Sequence, residues 1–247
     1  MIEKIVSALN GVILGKDEQV RLLVMALLAD GHVLVEDVPG TGKTTLSKAL
    51  ASVIGADFAR IQFTPDLLPA DVTGGAVFRA NTGEFEIRKG PVFTQVLLAD
   101  EINRASPRTQ SSLLEAMEER QVSLEGSRHA LPELFMVLAT ENPVEFHGVF
   151  PLPEAQIDRF FIRLALGYPD FESQLEIMKE TSGRVPILFL DDVLSELDRD
   201  RKNKILELTK NYQTFITCTD RDIAEDITEA EGRVRTRVNY INVESLR

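Results

Sequence analysis

The sequence predicts an α/β protein with a parallel sheet flanked by helices, on three observations. Helical and strand-like patterns alternate from residue 1 to about 168. A glycine-rich stretch, Asp37-Val38-Pro39-Gly40-Thr41-Gly42-Lys43-Thr44, joins a short apolar strand to a helix, and a later apolar strand ends in Asp100-Glu101.

The elements follow in order. Ile2, Ile5, Val6 and Leu9 recur at helical spacing, and a second helix carries Val20, Leu23, Ala26 and Leu27 before Gly31 stops it. Residues 32–36 form a short buried strand that feeds the glycine-rich loop. The helix after the loop buries Leu46, Leu50 and Val53 and ends at Gly55. Further strands are expected at 58–63, 96–99, 135–139 and 160–164, each an apolar run bounded by polar or turn residues. Five parallel strands result. Two hairpins fall between them, at 76–87 around Asn81-Thr82-Gly83 and at 121–131 around Glu125-Gly126-Ser127. Ser106-Pro107 starts a helix that continues into Leu113, Leu114 and Met117. After about residue 180 the texture changes. Ser182-Gly183-Arg184 is a joint, 185–190 a strand, 199–208 a charged amphipathic helix and 214–217 another strand, and the charged stretch from Asp220 is expected to be loosely held.

A chain of 247 residues accommodates one large domain or a domain with a smaller attachment. Its formal charge of -12, from 39 acidic against 27 basic residues, argues against DNA as a partner and against a surface built to neutralise phosphates. The lone cysteine, Cys218, cannot form an internal disulfide, and with no signal-like opening segment a cytoplasmic location is expected. No window nears the roughly 20 apolar residues of a membrane helix, so no membrane insertion is expected.

The glycine-rich loop has the chemistry of a triphosphate cradle. Backbone N–H groups backed by a helix N-terminus bind phosphates, and Gly40 and Gly42 let the backbone come close. Lys43 reaches the β- and γ-phosphates, Thr44 offers its hydroxyl to Mg²⁺, and Thr45 can reach the α-phosphate. Asp37 stands where the usual phosphate-loop pattern has glycine. A chance glycine-rich turn is the bland alternative. Asp100 and Glu101 end a buried strand, where ligands sit in open α/β sheets. Asp100 is the candidate to hold Mg²⁺, through water, and Glu101 the group that orients or deprotonates the attacking water; a solvated acidic helix start is the competing reading. Asn142, after the strand at 135–139, either holds that water and senses the γ-phosphate or forms an ordinary turn before Pro143.

Four stretches then carry a resemblance: residues 31–40, 60–69 (Arg60-Ile61-Gln62-Phe63-Thr64-Pro65-Asp66-Leu67-Leu68-Pro69), 98–105 and 151–160, with Tyr168-Pro169 after them. Together they resemble the MoxR family of AAA+ ATPases over about residues 1–180. The resemblance implies an ATP-hydrolysing P-loop core with Mg²⁺ as cofactor, and a phosphate loop formed by Pro39, Gly40, Thr41, Gly42, Lys43, Thr44 and Thr45. It further implies a hexameric ring of identical chains and chaperone-like action on protein clients, often alongside von Willebrand factor A domain proteins. Asn142 corresponds to sensor 1 and Arg159 to an arginine finger supplied to a neighbour's ATP, so turnover is expected to depend on assembly. An ion pair of Arg159 with Asp158 is the alternative. Arg104 is a further interface candidate, and the 76–87 hairpin fits the insert in helix 2 with which such proteins touch clients.

The MoxR-like pattern normally continues into a helical lid with a sensor 2 arginine, which this chain lacks. Residues 171–179 are a candidate start of a lid. About residues 183–222, including Asp191-Asp192 and Ser195–Asp198, resemble the C-terminal end of RecF, a DNA-repair ATPase, without the phosphate loop and signature motif that RecF needs. The expected domains are therefore a core at 1–180 and a RecF-like segment at 181–247. That segment either docks a second nucleotide half-site or a partner, or is a fused remnant whose apolar strands extend or cap the core. Two functional alternatives stay open: a RecF-like DNA-repair ATPase, and a lidless nucleotide-binding module with poor hydrolysis.

Overall fold

A computed structural model describes residues 2–38, 40–81, 83–143, 148–169, 173–174, 177, 187–191 and 213–217. The chain divides into two compact units, Met1–Ser173 and Gln174–Arg247.

In the first unit, strands β1 (Val33–Glu36), β2 (Phe58–Gln62), β5 (Val96–Asp100), β8 (Met136–Glu141) and β9 (Ile162–Leu164) form one parallel sheet in the order β2-β5-β8-β1-β9. The inner strands β1, β5 and β8 are short apolar runs, and neighbouring residues along each face opposite layers. Leu97, Ala99, Val137, Ala139 and Leu34 point into one core with α5 (Pro107–Glu119) and Val72 of α4 (Pro69–Thr73). Val96, Leu98, Met136, Leu138, Val33 and Val35 point into the other, covered by α1 (Ile2–Asn10), α2 (Asp17–Leu28) and α3 (Lys43–Ile54). Burial on both faces explains why these strands read as continuous apolar runs rather than alternating ones.

Local chemistry sets the boundaries. Ser106 caps α5, its hydroxyl accepting from the Thr109 N–H, with Pro107 at the first turn. Gly55 ends α3 in a left-handed conformation. After α2, Asp30 takes the left-handed position (φ 55°) that the sequence assigned to Gly31. Gly31 is small for a different reason: a Cβ there would collide with the Phe161 side chain. Other boundaries shift by one or two residues: β8 runs on to Glu141, and the first hairpin spans 74–89 rather than 76–87. β5 runs one residue further, to Asp100, and β9 starts at Ile162 because Phe160 still closes the turn after α6 (Glu154–Ile157), its N–H donating to the Ile157 carbonyl.

Both hairpins form. β3 (Gly74–Arg79) pairs antiparallel with β4 (Glu84–Lys89), and β6 (Gln121–Leu124) with β7 (Ser127–Ala130) through a tight turn at Glu125 (φ 48°) and Gly126 (φ 77°). On the first hairpin Phe78 and Phe85 pack together at 5.3 Å between ring centroids while remaining exposed. The buried His32 joins the layers from the start of β1: Nδ1 accepts from the Val137 N–H at 3.1 Å, which leaves Nε2 to donate to the Met117 carbonyl at 3.4 Å.

In the second unit, β10 (Leu188–Asp191) and β11 (Thr214–Thr217) pair in parallel, with Phe189 and Phe215 stacked and exposed. The expected helix at 199–208, Asp192, residues 195–198, Cys218 and the stretch from 220 lie outside the described residues, as does most of 171–179. Among the described residues, no helix is long and apolar enough to cross a membrane.

Candidate nucleotide site

The parallel register brings the C-terminal ends of β1, β5 and β8 side by side, with Glu36 opposite Glu141 and Gln62 opposite Asp100. A cleft of about 430 Å³ opens there, within the size range of small-ligand sites. One wall is the phosphate loop and the first turn of α3, contributing Gly40, Gly42, Lys43, Thr44 and Thr45. The facing wall is Asp100, Glu101 and Asn142, with Arg60 and Gln62 from β2.

Gly40 (φ 85°) and Gly42 (φ 90°) hold left-handed backbone that suits glycine, and Gly42 is the N-cap of α3. No atom lies within 4 Å of where a Cβ would stand on either, so both open onto free space that a phosphate can enter. Lys43, the first residue of α3, curls back so that Nζ donates to the carbonyls of Asp37 (2.8 Å) and Val38 (3.0 Å). Thr41 does not line the cleft; it is buried and donates to the Val38 carbonyl at 3.3 Å, bracing the loop. Pro39 lies outside the described residues.

Asp37, the departure from the usual glycine, anchors the loop. Its Oδ1 accepts from the Val38 N–H at 2.8 Å and its Oδ2 from the Gly167 N–H at 2.6 Å, while its own N–H donates to the Glu141 carbonyl.

The acidic pair is held tightly. Asp100 Oδ1 accepts from the Thr140 hydroxyl at 2.7 Å, and Oδ2 from Arg60 Nη2 at 2.7 Å. Glu101 is left-handed (φ 56°), a conformation that costs a non-glycine residue about 1–2 kcal/mol, and its N–H is secured by the Thr140 hydroxyl at 2.9 Å. Its carboxylate Oε2 accepts from Gln62 Nε2 at 2.8 Å and Arg104 Nη1 at 3.1 Å. Nearby, burial first and the Glu36 charge second hold the Glu141 carboxyl above the ordinary carboxylate range. Glu36 itself pairs with Arg163 at 2.7 Å.

Of the sequence-predicted residues, Gly40, Gly42, Lys43, Thr44, Thr45, Asp100, Glu101 and the buried Asn142 meet at this cleft. Arg159 does not line it. Its guanidinium pairs with Glu118 of α5 at 2.8 Å, not with Asp158, the partner that the sequence offered. The residues that the sequence reading did not place in the site are Thr140, Arg60 and Gln62. The polar positions 60 and 62, alternating with Ile61 and Phe63 on a strand beside the acidic strand, are the signal that marks them.

Comparison with known proteins gives this cleft its context. Residues 32–162, more than half of the chain, match the ATPase family associated with various cellular activities (AAA). The chain belongs to that family. Its relatives place this AAA ATPase among the MoxR proteins: it is 47% identical over 177 residues to Chaperone MoxR1 of Mycobacterium tuberculosis, covering 72% of this chain and 47% of the relative. It is 52% identical over 198 residues to the uncharacterized protein YeaC of Bacillus subtilis, covering 80% of this chain and 62% of the relative. A crystal structure of a candidate ATPase from Cytophaga hutchinsonii superposes with a TM-score of 0.67 at 43% identity, covering 75% of this AAA ATPase and 56% of that chain. The chain thus spans less than two thirds of the length of these relatives. A separate match to the DNA replication and repair protein RecF of Clostridium kluyveri, 58% identical, is confined to 50 residues, 20% of this chain and 14% of that protein.

Proposed function

We propose that the protein binds Mg-ATP in this cleft and hydrolyses it, using the energy to remodel protein clients in the manner of a MoxR chaperone. The observation that carries the reading is the convergence of Lys43 and Thr44 with Asp100, Glu101 and Asn142 on one cleft at the C-terminal end of a parallel sheet.

The donors present fit a phosphate chain and a divalent ion. Backbone N–H groups of 40–44 and the N-terminus of α3 face a phosphate chain, and the Lys43 ammonium exchanges its two loop carbonyls for phosphate oxygens. Thr44 and Asp100 are the hard oxygen donors suited to Mg²⁺, which spreads charge over the β- and γ-phosphates when bound. Glu101 takes the proton of the attacking water, and Asn142 orients that water. Arg159, outside the cleft of its own chain, is assigned to the active site of a neighbouring copy, stabilising transition-state charge there. In this reading Glu118 parks the finger in each protomer.

Glu101→Gln tests the assignment: ATP binding is expected to persist while turnover is abolished, and wild-type turnover in this variant removes Glu101 as the base. Assembly is tested by size-exclusion chromatography with light scattering, with and without ATP, beside hydrolysis by Arg159→Ala. A ring-sized species whose turnover collapses in Arg159→Ala is expected. A wild-type monomer with undiminished turnover in that variant overturns the finger and the ring together.

A further inference from the structure

Arg60 is a cation that the phosphate loop and the acidic strand do not account for. It lies on β2, lines the same cleft as Lys43, and its side chain is 46% exposed. Its Nη2 donates to Asp100 Oδ2 at 2.7 Å and to Gln62 Oε1 at 2.9 Å. Asp100 is largely buried, and its other oxygen already accepts from the Thr140 hydroxyl. Both oxygens of the carboxylate assigned to Mg²⁺ are therefore engaged, one of them by a full positive charge.

A guanidinium and a divalent ion held at the same carboxylate repel each other, so the Arg60 contact competes with a metal for the charge of Asp100. The contact is built to be exchanged. Asp100 sits on the sheet and is fixed by Thr140, whereas Arg60 reaches it on a long, half-exposed side chain. Its planar fork is also matched to phosphate oxygens, so a guanidinium leaving Asp100 has a partner in the same cleft once a nucleotide is bound.

We propose that Arg60 is a stand-in cation for the metal: it neutralises Asp100 and yields the carboxylate as Mg-nucleotide loads, turning to the phosphates. The proposal rests on the nucleotide-site reading above. It makes Arg60 a positioning residue that sets how strongly nucleotide binding depends on Mg²⁺.

The test uses the full chain and a fluorescent ADP titrated with Mg²⁺ from a chelated baseline. Arg60→Gln is expected to bind metal-free nucleotide about fivefold more weakly, since Asp100 then faces the phosphates unneutralised, and to reach half-saturation at about fivefold less Mg²⁺. Arg60→Lys, which keeps the charge, restores most of the metal-free affinity. A folded Arg60→Gln whose Mg²⁺ midpoint equals the wild-type value overturns the proposal. A second readout needs no variant: the Arg60 side-chain N–H resonance of the wild-type protein shifts between metal-free and Mg²⁺-loaded ADP, and an unchanged resonance overturns it as well. Wild-type protein that binds no fluorescent ADP at any Mg²⁺ level overturns the nucleotide site itself, and this inference with it.

Discussion

The Asp37 carboxylate accepts a hydrogen bond from the Gly167 N–H at 2.6 Å, joining the entrance of the phosphate loop to a residue 130 positions later. Its other oxygen caps the Val38 N–H at 2.8 Å. Restoring the usual glycine of the phosphate-loop pattern by Asp37→Gly is expected to harm this protein. Two partly buried N–H groups lose their acceptor, a loss of about 1–3 kcal/mol in urea unfolding. Nucleotide affinity falls with it, because the loop loses its anchor. Asp37→Asn, which keeps one oxygen for Val38, falls between the two.

Thr140 offers a second test. One hydroxyl donates to Asp100 and accepts from the Glu101 N–H, so it orients both acids without lining the cleft. Thr140→Val preserves shape and removes both bonds. Turnover is expected to fall by about 10- to 100-fold, as for other groups that orient ligands from behind. KM for ATP moves much less. Equal losses in binding and turnover count against an orienting role.

The buried His32 gives the fold an acid sensitivity of known sign. Burial is the main cause that pushes its pKa from 6.5 down to about 4. The unfolded chain therefore takes up a proton that the folded chain refuses. This contribution to stability is full above pH 6.5 and declines as pH falls toward 4, by about 3 kcal/mol. Glu141, whose pKa is raised, works in the opposite direction as acid is added, so the His32 share is read from a variant. His32→Asn is expected to be less stable at neutral pH and to lack the His32 part of the decline between pH 6.5 and 4.

The first hairpin distinguishes two kinds of glycine. At Gly74 (φ 92°) a Cβ would collide with the Arg88 carbonyl and the Gly90 nitrogen at the base of the strands. At Gly83 (φ 72°), in the turn, no atom lies within 4 Å. Gly83→Ala is expected to cost about 1 kcal/mol, the backbone strain alone. Gly74→Ala costs more than that and opens the hairpin, which amide hydrogen exchange on residues 74–79 and 84–89 reports.

Much of the fold was legible because a strand buried on both faces leaves a run of apolar residues, as β1, β5 and β8 do between turn signals. The phosphate loop and the acidic pair were legible because their chemistry is local: Lys43 follows Gly42, and Glu101 follows Asp100. What stayed hidden depends on pairing across the sheet. That Thr140 reaches Asp100, and Arg60 reaches it from the other side, follows from which strands are neighbours, and the strand order is not written in any single segment. Asp37 read as a defect in a motif for the same reason. Its partner at Gly167 is invisible until β9 is laid beside β1. The short α4 and α6 were missed because four or five residues carry too little periodicity to read.

The interior place of β1 in the sheet has a consequence for how the protein is made. β1 pairs with β8 on one side and β9 on the other, and His32, just before it, bonds to Val137 across 105 residues. During synthesis the first strand of the sheet must wait for both neighbours. At the usual pace of translation that delay is roughly ten seconds, during which an apolar strand with two open edges has left or is leaving the ribosome. The segments α1 and α2, made first, pack onto the same core as Val33 and Val35 and can shield that face of the strand in the interval. Truncations that remove them are therefore expected to lower the soluble yield of nascent chains more than their share of the final core implies, an effect seen in translation-arrested chains and absent on refolding of the complete polypeptide.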